Sequence, residues 1–88
     1  MQNYTIMTRF EQSKLDAEFN RFTKMNFDKP QKCRSIDQIR YYMDELTQKI
    51  IELKQSFNYV PVTAHTLLSQ YNAAQNKLIS KNFQEAYV

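Results

Sequence analysis

The sequence predicts an all-α protein: a three-helix bundle built on a central long amphipathic helix, with short antiparallel connections. Three observations carry this. The 88 residues include no glycine, the residue that tight hairpins and phosphate-cradling loops use at positive φ and at close backbone approaches. Apolar residues recur at spacings of three and four along most of the chain, the period of a helix with one buried face. The only two prolines, Pro30 and Pro61, fall between the periodic stretches, where they force the preceding residue into an extended conformation. A chain of this length supports one domain, residues 1–88, around one thin core.

The first helix is expected over about 9–26. Thr8 and Glu11 stand at capping-box spacing, so each can satisfy an amide that the first turn leaves free. Leu15, Phe19, Phe22 and Met25 form its stripe, with Phe10 near one edge and Glu11 and Glu18 intruding. Asp28-Lys29-Pro30 breaks the chain before the next helix.

The second helix is expected over 35–57. Ile36, Ile39, Met43, Leu46, Ile50, Leu53 and Phe57 follow an unbroken alternation of three and four across three heptads. Ser35 is placed to accept from the Gln38 amide, with the Gln38 side chain reaching back. Asp37 lies in the first turn, where the helix dipole favours an anion, and Glu45 and Lys49 form an i,i+4 pair. A parallel coiled-coil homodimer through this seam would set Lys49 against the partner's Lys54, so the seam is expected to be filled within the chain.

The third helix is expected over 63–85, with Thr63 as N-cap and Ala64, Leu67, Leu68, Tyr71, Ala74, Leu78 and Ile79 on one broad face. The connection Asn58–Val62 is short, so the second and third helices should lie side by side in opposite directions.

Composition narrows function mainly by exclusion. With no glycine, the known phosphate-binding loops lack their raw material. Cys33 is the single cysteine and His65 the single histidine, so no internal disulfide and no standard zinc site is expected. Lys32 and Arg34 beside Cys33, with a helix start just after it, favour a thiolate; the plainer expectation is an idle reduced cysteine in a loop. A Cys33–His65 nucleophilic pair would need two loops from opposite ends of the bundle to meet. Asp44 and Glu45 point to different parts of one helix surface, and Glu11 and Glu18 stand two turns apart, about 10 Å, so no acid/base pair is expected. Nothing near the start resembles a secretory signal, and no run approaches the ~20 apolar residues of a membrane helix. The cytoplasm is the expected compartment, with no cofactor, no small-molecule substrate and no membrane partner.

Charge is more informative in its placement than in its total. Residues 21–40 hold six cations against two carboxylates, a local +4 in a chain of net +3. Lys29, Lys32, Arg34 and Arg40 are therefore candidates for contact with an acidic partner or with nucleic-acid phosphates, and Tyr41 and Tyr42 beside them are candidates for stacking on bases. A helix-turn-helix reader is a poor fit, because the last helix offers Gln70, Asn72, Gln75 and Asn76 but no arginine. Tyr41 and Ile51 lie on the second helix outside its apolar stripe, among Asp37, Asp44, Gln48 and Gln55. They are expected to be exposed and to form a protein-binding face.

Cys33-Arg34-Ser35-Ile36-Asp37-Gln38-Ile39 resembles the Cys-x-Thr-Ile-Asp-x-Leu helix opening of the haemolysin-expression modulators. That resemblance implies a small helical protein that binds a nucleoid-associated partner. It covers seven residues of 88, the lengths of the following helices depart from the pattern, and no function is carried over from it. The residues themselves point to a non-enzymatic binding protein: a protein–protein module such as an adaptor, a chaperone-like factor or an inhibitor of a larger complex. A small nucleic-acid-binding regulator using residues 29–42 is the alternative.

Overall fold

The computed structural model describes residues 7–86. Three helices, α1 (Arg9–Asn26), α2 (Ile36–Phe57) and α3 (Val62–Ala86), are joined by a 3-10 turn at Pro30–Lys32 and a short link after Phe57. The last helix is the longest, 25 residues against 22 for the central one. No strand forms among the described residues, and no helix there is long and apolar enough to cross a membrane.

Each start has a local cause. Thr8 accepts from the Glu11 amide, and the Glu11 carboxylate accepts from the Thr8 amide at 3.1 Å, completing the expected capping box. These bonds hold the Glu11 carboxyl below its ordinary pKa. Ser35 caps α2 by accepting from the Gln38 amide, but the Gln38 side chain does not reach back. It donates instead to Asp28 at 2.8 Å and to the Tyr42 hydroxyl at 3.1 Å. Thr63 is not the cap of α3. The helix starts one residue earlier because Pro61 already holds a φ suited to helix entry, and the Ala64 amide donates to the Pro61 carbonyl. Thr63 instead donates its hydroxyl to Asn20 of α1.

α2 and α3 make the closest pairing in the molecule. The chain reverses through Asn58, which takes the left-handed conformation at φ 51°, ψ 34° and closes α2 by donating its backbone N–H to the Lys54 carbonyl. Asparagine is the usual substitute where glycine is absent, because its short polar side chain tolerates this region. At the far end, the first turn of α2 faces Leu78 and Asn82 of α3, so the two helices run in opposite directions. α1 runs along α3 in the same direction: Asp16 meets Tyr59, Asn20 meets Thr63 and the Asp28 carbonyl meets Tyr71, each pair 43 residues apart.

The core follows the α2 stripe closely. Ile39 and Leu46 are fully buried and Leu53 nearly so, with Met43 and Ile50 packed at the margin. The heptad seam is thus covered by the chain's own helices. Each such aliphatic side chain contributes roughly 1.5–3 kcal/mol relative to exposure. Three apolar residues expected inside are exposed: Met25, Phe57 and Ile79. Near Met25, Phe27 at the end of α1 is the residue that turns inward, its ring packing on Phe22, Tyr42 and Tyr71. Phe57 stands at the last turn of α2, where the chain turns away. Ile79 lies one step, about 100°, around α3 from Leu78, at a level that the α1 hydrogen bonds, reaching only Tyr59 and Thr63, do not approach. Helices offset in this way give an elongated body of 61 × 25 × 16 Å.

Candidate functional site

Two regions of α2 carry the expected functional residues: its first turns, beside the basic segment, and its outward face. Lys29, Lys32, Arg34 and Arg40 are all exposed, and none is paired with a carboxylate among the described residues. They do not converge on one point. Arg34 and Arg40 line a surface cleft of about 550 Å³ together with Ser35, Ile36, Asp37, Leu78 and Asn82. Lys29 and Lys32 lie outside it.

The cleft follows from the register of the hairpin. Ser35 ends the extended segment and starts α2, so Arg34 lies before the helix and Arg40 one turn into it. Arg34 and Arg40 share the cleft with Ile36, and the antiparallel run of α3 brings Leu78 and Asn82 opposite. The result is a mostly polar cleft, with two cations and one carboxylate, Asp37, beside a small aliphatic patch from Ile36 and Leu78. Leu78 and Asn82 were invisible as site residues in the sequence, since only the register of α3 against α2 brings them here.

Along the rest of α2, Tyr41 is 59% exposed and Ile51 43% exposed. Both point away from the buried line of Ile39, Leu46 and Leu53, as their position outside the stripe predicts. Tyr42 behaves otherwise. It is buried, with its ring 4.8 Å from Phe27 and 5.5 Å from Tyr71, and its hydroxyl accepts from Gln38. It belongs to the core and is not available to stack on a base. Three elements converge on it, whereas the heptad pattern describes α2 alone.

Cys33 is also an interior residue. The 3-10 turn directs it inward, where it is buried and donates weakly to the Lys29 carbonyl at 3.5 Å. Burial, and secondarily the charge of Asp28, push its thiol above the ordinary value. The thiolate-favouring effect expected from Lys32 and Arg34 is overturned, because both cations extend into solvent while the sulfur turns away from it. Cys33 is buried while His65 is exposed, and no hydrogen bond joins the two among the described residues. Among the described residues no three His, Cys, Asp or Glu side chains are grouped to hold a metal ion.

The chain matches no protein-family model, no curated protein and no solved structure.

Proposed function

We propose that this chain acts by binding another protein, as an adaptor, a chaperone-like factor or an inhibitor of a larger complex, and that it carries out no catalysis. The observation that supports this is the outward face of α2, where Tyr41 and Ile51 expose large apolar surface among polar neighbours. A partner that covered these side chains would remove apolar surface from water, which favours association. The proposed setting is the cytoplasm, without a cofactor. A photo-crosslinking amino acid placed at position 41 or 51 in the native host is expected to give a discrete protein adduct, and one placed at Lys14 on α1 is not. Absence of any adduct at both α2 positions would remove this face as a docking surface.

The second reading, a nucleic-acid-binding regulator, is favoured by the four exposed and unpaired cations Lys29, Lys32, Arg34 and Arg40. Phosphate contacts weaken steeply with salt. Retention on single- or double-stranded DNA or RNA that falls steeply with salt, and is lost when the four are replaced by glutamine, would favour it over the first.

A further inference from the structure

We infer that the cleft between the first turns of α2 and the second half of α3 takes an acidic segment of a partner protein that carries an apolar anchor. This rests on the protein-binding reading and names the partner's chemistry. The cleft has room for a few side chains, since ligand clefts commonly span roughly 300–1,000 Å³, and this one has about 550 Å³. Ile36 and Leu78 offer an aliphatic surface to an anchoring side chain. Arg34 and Arg40 line the same cleft, exposed and without a carboxylate partner among the described residues. A planar guanidinium with its donors unused matches a carboxylate in two-pronged geometry, so the complementary ligand has one or two carboxylates beside an apolar residue.

Asp37 in the same cleft separates this ligand from a polyanion. A nucleic-acid backbone brings closely spaced phosphates, and one of them would be driven against Asp37. A peptide can space its carboxylates to meet the two arginines and leave Asp37 in water. Aliphatic Ile36 and Leu78 favour the peptide as well, since a phosphate backbone has nothing to bury there. Arg40, at the cleft, also lies on the same side of α2 as Ile51. Arg40 and Ile51 are eleven residues apart, three helical turns or about 16 Å, and lie nearly on one line along α2. An extended or helical partner segment anchored at the cleft can therefore run on over Ile51.

The test uses the full chain, immobilised, and a random-peptide display library selected at low salt. The enriched peptides are expected to carry Asp or Glu next to Leu, Ile or Phe. Their affinity should fall roughly tenfold or more for the double variant Arg34→Gln/Arg40→Gln. It should also fall for Leu78→Gln, and rise for Asp37→Asn. Both arginines are exposed, so helicity by circular dichroism is expected to be unchanged in the double variant, and Asp37→Asn gives a second measure that does not rely on loss. Neutral or basic enriched peptides would overturn the inference, as would equal binding to the double variant. So would an absence of enriched peptides while a single-stranded oligonucleotide binds through Arg34 and Arg40. If those results coincide with intact crosslinking at positions 41 and 51, the cleft assignment fails and protein binding by the α2 face stands. If crosslinking fails as well, both fall together.

Discussion

Replacing Tyr71 by phenylalanine isolates one hydrogen bond in the centre of the fold. The Tyr71 side chain is 1% exposed, its ring packs against Phe27 and Tyr42, and its hydroxyl donates to the Asp28 carbonyl at 2.5 Å. Phenylalanine keeps the ring and its contacts, so no cavity opens and only the hydroxyl is lost. A typical intramolecular hydrogen bond is worth about 1 kcal/mol net, rising toward about 3 when its partner is left buried and unsatisfied. The bond is only partly buried, so the lower figure applies. For a domain of this size about 1 kcal/mol lowers the melting temperature by roughly 4–8 °C, readable by far-ultraviolet circular dichroism at neutral pH. The same variant has an alkaline signature. Burial first, then the neighbouring Cys33, Tyr42 and Asp28, raise the hydroxyl pKa of Tyr71 above the ordinary 10.0. The unfolded chain releases this proton near pH 10 while the folded chain retains it, so folding stability from this group is complete below pH 10 and declines as the pH rises above it. Tyr71→Phe should flatten that decline. Tyr59, raised chiefly by its hydrogen bond to Asp16, leaves a residual slope. A melting temperature unchanged within about a degree, or an alkaline decline as steep as in the parent, would refute the assignment of Tyr71 as the tie between the Asp28 segment and α3.

Three further outcomes follow from the packing. Leu46→Ala, at a fully buried position, should cost about 2–5 kcal/mol; chemical denaturation measures this, and a loss under about 1 kcal/mol would mean that the seam is not close-packed. The quadruple change of Lys29, Lys32, Arg34 and Arg40 to glutamine should leave the fold intact, because exposed and unpaired side chains contribute within about ±0.5 kcal/mol each, and a large drop in melting temperature would show that these cations do structural work. Cys33 should react slowly with a thiol reagent in the native protein and rapidly in guanidinium chloride, since the folded chain buries it and raises its pKa; rapid native labelling would contradict its inward placement.

Features set by neighbours along the chain were legible in the sequence. Thr8–Glu11 needs only three residues to declare a helix start, and the Ile39–Leu46–Leu53 repeat declares the buried line of α2 without reference to any other helix. The exposure of Tyr41 and Ile51 followed from the same line, as its complement. Features set by register between elements were not legible. Phe27 lies in a connection, where helical period has no meaning, yet it is the ring on which Phe22, Tyr42 and Tyr71 converge. Its ring contact helps to bury Tyr42. Cys33 shows a related effect: charge in the adjacent sequence positions favours a thiolate, but burial raises the thiol pKa, in keeping with the plainer expectation of an unreactive cysteine, and burial is a property of three dimensions. Of the candidate site, the arginines could be named from charge alone, whereas Leu78 and Asn82 became partners to them only through the α2–α3 register.

The staggered placement of the helices has a consequence for anyone weighing this protein in solution. The radius of gyration is 16.2 Å, whereas a compact domain of this length would have a value near ~12 Å. On the same scaling, 16.2 Å belongs to a compact chain of about 190 residues, more than twice the 88 present. A single copy should therefore leave a gel-filtration column early, in the position a globular pair would occupy. Light scattering or native mass spectrometry, which report mass and not shape, should return 10.6 kDa for that same peak.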